Sequence, residues 1–271
     1  MTRSSRSSRH SRRRPFRRAL RALHRGMLVR RARDVTDSTA HRSALVFAPH
    51  PDDESLACGA TIATKTRAGT PVRVVVAADD GNAVRRAEAI AALAILGVPE
   101  GDVCFLGFPE DRLAAHAAAL AVAVGEQIDG FPADEIFSPS SLDGHTDHRA
   151  LAAAVARYTG RGATPPTRLA YPVWYWTRAA WTDQDAPRRR KGVQFVSRSL
   201  RALFVTRTVV VRTAAVAEAK RRAIAAHVSQ AGGPDGRGGR LSSYFLDLFA
   251  ADEELFFVQS SKSRCRERSP R

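Results

Sequence analysis

Apolar and polar positions punctuate this chain regularly. Four short apolar runs, each bounded by turn residues, fall in its first half: Ala44-Leu45-Val46-Phe47, Pro71 to Ala77, Val103 to Gly107 and Glu135-Ile136-Phe137. Runs of this length, rich in β-branched and aromatic residues, predict buried strands. Helical patterns lie between them. One covers Ser55 to Ala68 and stops at Gly69; an alanine-rich, amphipathic one covers Arg85 to Leu96 and is closed by Gly97. A third runs from Leu113 to Ile128, and a fourth starts near His148 and reaches about Tyr158. Strand and helix in alternation predict an α/β fold, Rossmann-like, with a mostly parallel sheet and helices on both faces.

The second half is less regular. Leu169 to Trp176 reads as an extended aromatic stretch, Thr206 to Arg212 as a strand and Ala214 to Val228 as a helix. Asp185 to Lys191 and Gly232 to Gly239 read as loops. No internal repeat is visible.

Charge changes the picture only once it is located. A net charge of +16 over 271 residues suggests a nucleic-acid binder. Yet residues 1–42 carry 14 arginines against Asp34 and Asp37, and residues 261–271 carry five basic residues against Glu267. Residues 43–260 balance 24 basic against 24 acidic residues, so the basic character belongs to the ends. The expected organisation is a disordered Arg-rich tail over 1–42, one domain over 43–260 and a basic C-terminal tail over 261–271. Such tails offer a weak contact with anionic surfaces, whether nucleic acid or lipid. The first arginines are not followed by an apolar h-region, so no secretory signal is expected, and Met27 is an alternative start. Cys58 and Cys104 sit in apolar surroundings; with Cys265 they make an odd set without paired spacing. That usage suits a reducing, cytoplasmic setting. The longest apolar run, Leu113 to Gly125, is too short to span a bilayer.

Two strand ends carry candidate chemistry. The first strand runs into Ala48-Pro49-His50-Pro51-Asp52-Asp53-Glu54, one imidazole followed by three carboxylates. In open α/β sheets the carboxyl ends of strands are where ligands bind, and imidazole with carboxylate suits a cation such as zinc. The bland alternative is an acidic loop in which Asp52 or Asp53 caps the following helix. The fourth strand runs into Ser138-Pro139-Ser140-Ser141-Leu142-Asp143-Gly144-His145-Thr146-Asp147-His148. Two histidine-carboxylate clusters at two strand ends are hard to explain as two unrelated surface loops. No G-x-G-x-x-G follows the first strand, which excludes the usual dinucleotide fingerprint.

The order and form of these boxes resemble the PIG-L/LmbE-like family of zinc-dependent N-acetylglucosamine deacetylases. The first is similar to that family's A-H-P-D-D-E box, here with Pro49 between Ala48 and His50; the second is similar to its H-x-D-H box. Further similarity lies in Arg85-Arg86-Ala87-Glu88-Ala89 with Leu96-Gly97-Val98, in Phe105-Leu106-Gly107-Phe108-Pro109, and in Lys220 through Gln230. Three departures fall where substrate recognition is expected: Glu110 in place of Asp, a short segment from Gly81 to Arg85, and Asp143 where some members have Tyr.

The resemblance implies a metal-dependent N-deacetylase with His50, Asp53 and His148 as ligands to zinc, or to another divalent metal in its place. It implies Asp52 as general base, His145 beside the developing oxyanion and Asp147 orienting a histidine. The spacing alone does not divide roles between Asp52 and Asp53. His145 as a plain loop residue and His227 as a packed helix residue stay open. So do Trp174, Tyr175 and Trp176 as a sugar platform or as core, and Arg85 as a substrate contact or as a partner of Glu88. The implied substrate is an N-acetylated sugar or glycoconjugate. A thiol-sugar amidase and an anionic-surface-binding protein on an inactive scaffold are the alternatives; retention of all six site residues argues against the second.

Overall fold

The computed structural model describes residues 21–158, 165–176, 206–232 and 239–259, with Ser197 and Leu203. The loop expected at Asp185 to Lys191, most of that at Gly232 to Gly239 and both extreme termini lie outside the described residues. In chain order the main elements are helix α1 (21–31), β1 (Arg33–Asp34), α2 (Thr36–Ala40), β2 (Ala44–Ala48) and α3 (Asp53–Arg67). They are followed by β3 (Val72–Ala78), α4 (Ala83–Ile95), β4 (Val103–Phe108), α5 (Ala117–Gly130), β5 (Glu135–Pro139) and α6 (Thr146–Arg157). The remainder is β6 (Thr167–Tyr171), β7 (Arg207–Arg212), α7 (Ala217–Ala226), α8 (Val228–Ala231), α9 (Ser243–Leu246) and β8 (Glu253–Gln259).

One eight-stranded sheet runs β1-β7-β8-β6-β5-β2-β3-β4, and all pairings are parallel except those of β8. The expected α/β class with helices on both faces is thus observed. Its cause can be read in β2, whose five residues are all buried. Ala44 and Val46 face a cluster with Leu56, Ala60 and Ile62 of α3, Leu93 of α4 and Ala223 of α7. Leu45 and Phe47 face the opposite side, against Leu120 and Val124 of α5 and Leu151 and Val155 of α6. A strand covered on both faces loses the apolar-polar alternation of a half-buried one and reads as a continuous apolar run. Gly97 closes α4 for two reasons: its φ is +86°, and an added Cβ would lie 2.8 Å from Thr66 Oγ1.

Several expectations are corrected. Residues 21–42 are not a tail. Leu28 is 1 % exposed, and His24 and Val35 are buried, while β1 pairs with β7. The arginines of this segment conceal a helix face that buries His24 and Leu28, four residues apart. Leu113–His116 forms a 3₁₀ turn before α5 begins. The aromatic stretch is a strand only to Tyr171 and then turns, with Trp174–Trp176 in a 3₁₀ turn. The helix over Ala214 to Val228 begins as a 3₁₀ turn and breaks at His227. Among the described residues no helix is long and apolar enough to cross a membrane.

Candidate active site

From β2 the chain crosses through α3 to β3 on one side; from β5 it crosses through α6 to β6 on the other. The two outgoing loops therefore diverge from adjacent strands, leaving a crevice at the sheet's topological switch point. Both histidine boxes lie there, and each opens a helix. Asp52 precedes α3 and puts Asp53 and Glu54 in its first turn, where the positive end of the helix dipole favours carboxylates. His145 caps α6, its Nδ1 accepting from the Asp147 amide at 3.2 Å. That bond fixes Nδ1 as an acceptor, so the neutral ring carries its proton on Nε2.

Asp53 Oδ2 lies 3.3 Å from His50 Nδ1 and 3.2 Å from His148 Nε2. Ligand atoms of His50, Asp53 and His148 all fall within 4.8 Å of one another, and a second such group joins His50, His145 and Asp147. His148 Nδ1 is held by Asp143 Oδ2 at 3.0 Å, and that oxygen also accepts from the Val173 amide at 3.1 Å. His148 Nε2 is buried without a hydrogen-bond partner. An unpartnered nitrogen aimed at a buried carboxylate fits a cation between them, and a two-imidazole, one-carboxylate donor set suits zinc. The backing carboxylate on the other ring nitrogen is the usual way a ligand histidine is oriented. Asp147 Oδ2 is 3.1 Å from His50 Nε2 and accepts from the Asp111 amide, while Oδ1 accepts from Leu113.

The two adjacent aspartates line the same pocket, and the backbone at the first of them is sharply bent. Asp52 has φ 140° and ψ −30°, a conformation that non-glycine residues rarely adopt. Glu54 stabilises it: Oε2 accepts the Asp52 amide at 3.0 Å, and Oε1 lies 3.1 Å from His227 Nε2. Burial, then the charge of Asp53, pushes the Asp52 carboxyl up to about 7. Burial also acts to raise Asp53, but His148 and then His50 outweigh it and hold Asp53 well below the usual carboxylate range. For His148 burial acts downward, yet Asp53 and Asp143 raise it to about 10. His145 is lowered, by burial first and then by the neighbouring histidines.

A pocket of about 230 Å³ opens over this cluster. His50, Asp52, Asp53 and His145 form its floor, with Arg85, Glu110, Trp174, Arg240 and Phe245 around them. Arg85 pairs with Glu110 and donates to the Pro51 carbonyl at 3.1 Å; it does not pair with Glu88, which instead holds Ser229. Of the aromatic trio only Trp174 lines the pocket, stacked on Phe245 at 4.6 Å between centroids, whereas Tyr175 and Trp176 are core. His227 is buried behind Glu54 and does not line the pocket. Three contributors went unanticipated. Asp143 as the partner of His148 had a signal, since it stands five residues before that histidine. The backbone of Asp111 and the pocket walls at Arg240 and Phe245 had none, because distant segments bring them in.

Comparison with known proteins follows the same geometry. The zinc-inhibited form of teicoplanin deacetylase Orf2 is similar over 82 % of this chain and 100 % of that chain, at 16 % identity and a TM-score of 0.59. N,N'-diacetylchitobiose deacetylase from Pyrococcus horikoshii, complexed with an inhibitor, is similar over 81 % and 84 %, at 17 % identity and 0.53. The conserved protein TT1542 from Thermus thermophilus is similar over 79 % and 92 %, at 23 % identity and 0.52. Identities this low establish a shared fold. Among curated protein sequences none matches. The family model described as PIG-L: GlcNAc-PI de-N-acetylase matches residues 45–159, the span from β2 through α6 that holds both histidine boxes. Over this span the chain is similar to the PIG-L family, and its fold is shared with the solved deacetylase structures.

Proposed function

We propose that the protein is a metal-dependent hydrolase that removes the acetyl group from an N-acetylglucosamine-type sugar or glycoconjugate. One observation carries the reading: a buried carboxylate outside the ligand cluster, Asp52, faces the same pocket as His50 and Asp53, and Asp53 in turn lies 3.2 Å from the buried Nε2 of His148. His50, Asp53 and His148 would hold zinc or another divalent ion. Such an ion lowers the pKa of the attacking water and polarises the amide carbonyl. Asp52, raised toward neutrality by burial, is matched to taking a proton from that water. His145 presents its Nε2 proton to the carbonyl oxygen as negative charge develops there. When the carbon–nitrogen bond breaks, acetate leaves and the amine takes up the proton that Asp52 received. Asp147 fixes His50, and Asp143 fixes His148, so the donors stay aimed while the acyl group turns over. Trp174, Arg85 and Glu110 stand where a sugar ring and its hydroxyls would be gripped. The half-buried and buried free thiols of Cys104 and Cys58 agree with work in a reducing, cytoplasmic setting.

The test is a screen of N-acetylated sugars, sugar nucleotides and glycolipids for released acetate, with divalent-metal content measured on the same sample. Turnover of at least one sugar amide by metal-loaded protein, lost on chelation, is expected. A loaded protein that cleaves none of them would overturn the reading.

A further inference from the structure

We propose that Asp147 positions the substrate-facing wall of the pocket as well as His50, so that one buried carboxylate fixes the distance between the ligand cluster and that wall. The wall is the turn that leaves β4, and its residues Glu110 and Asp111 both line the pocket. The turn has little apolar packing: Asp111 and Arg112 are exposed, and burial resumes at Leu113. Its backbone is nonetheless sharply bent, with Asp111 at φ 60°, a left-handed conformation that residues with a side chain adopt sparingly. Carboxylates hold it there. Buried Asp147 accepts the Asp111 amide on Oδ2 at 2.7 Å and the Leu113 amide on Oδ1 at 3.1 Å. On the other side of the turn, Asp80 Oδ1 accepts the Glu110 amide at 2.8 Å.

The same side chain reaches the floor. Oδ2 also lies 3.1 Å from His50 Nε2, and the Asp147 amide donates to His145 Nδ1 at 3.2 Å. A carboxylate serving His50 alone would need one oxygen; here the second oxygen has no part in that contact and is committed to the Leu113 amide. The wall meets the floor again at Arg85, which pairs with Glu110 and donates to the Pro51 carbonyl at 3.1 Å, next to Asp52. A sugar gripped by Glu110 and Arg85 would thus hold its amide at a set reach from His50 and Asp52. Such reach matters, because a misplacement of about 1 Å at the reacting atoms can cost on the order of 10² in rate.

The proposal rests on the deacetylase reading only for what the wall grips; its backbone claim is measured by hydrogen exchange, without turnover. In the full chain the Asp111 and Leu113 amides should exchange at least about tenfold more slowly than unstructured chain, although Asp111 is exposed. Asp147→Asn sets an amino group against one of these two amides whichever way its side chain turns. It should release them by about tenfold while β2 and β5 keep their protection. His50→Ala, which leaves the carboxylate in place, should not release them. With metal-saturated protein and a sugar amide that the parent cleaves, Asp147→Asn should also raise KM by about tenfold, whereas a residue that only aimed His50 would change kcat and metal affinity and leave KM. Fast exchange of both amides in the parent, unaltered protection in Asp147→Asn or an unchanged KM would each overturn the proposal. The first of these needs no variant, so the proposal can fail even if Asp147→Asn does not fold. A parent that cleaves no sugar amide would overturn the deacetylase reading alone, and the exchange comparison would still decide the role of Asp147.

Discussion

The residue that most constrains the chemistry is Asp52. Its φ of 140° turns its carboxylate into the pocket while Asp53, one residue on, faces two imidazoles. Residues in such sparsely populated conformations cost on the order of 1–3 kcal/mol and persist where surrounding bonds hold them, as the Glu54 carboxylate does here. This separation makes the two aspartates experimentally distinguishable. Asp52→Asn cannot accept a proton and should keep its metal while losing roughly 10²–10⁴ in turnover. Asp53→Asn removes a ligand and should lose metal and activity together. Metal analysis and steady-state rates on the two variants check the assignment, and the reverse pattern would exchange their roles. His50, Asp53 and His148 were legible in the sequence because each sits in a short local string that follows an apolar run. The bend at Asp52 and the Glu54–His227 contact were not, since no local rule says that a carboxylate will hold the amide two residues before it and meet a histidine on α7's far end.

At the scale of elements, the strands β2 to β5 announced themselves because burial on both faces leaves uninterrupted apolar runs. β8 was hidden by its own chemistry. It opens with Glu253-Glu254, which reads as a polar segment, yet Glu254 is 4 % exposed. Its carboxylate accepts from the amides of Ala60 and Thr61 in the middle of α3, both at 2.8 Å, and from Lys220 of α7 at 2.7 Å. One side chain thus ties a strand to two helices, and the first of them carries Asp53. Removing one partner of a buried ion pair leaves the other charge uncompensated. Lys220→Met should therefore cost about 3–5 kcal/mol in chemical denaturation. A loss below about 1 kcal/mol, the scale of exposed pairs, would show the pair to be solvated. Helix α1 was missed for a different reason: counted as composition, its arginines outweigh the two residues, His24 and Leu28, that bury its inner face.

For the molecule as a whole, that helix moves the start of the fold. Among the described residues the contacts that anchor α1 are those of Arg21, His24, Arg25 and Leu28, so removal of residues 1–20 should leave thermal stability unchanged. Removal of residues 1–31 deletes the His24–Tyr175 and Arg25–Glu253 contacts and uncovers the Leu28 site, and should lower the melting temperature by many degrees. Equal melting of the two truncations would return α1 to the status of an appendage. The sheet order has one more consequence. β8 comes after β6 and β7 in the chain but lies between them, paired antiparallel to both. On a ribosome, β2 through β6 can assemble the crevice while β6 still presents a bare edge and β7, with β1 beside it, has no neighbour on its other side. Open edges of this kind invite pairing with other chains. The last strand to be synthesised is thus the one that joins the two parts of the sheet, and until it is made both parts keep an open edge.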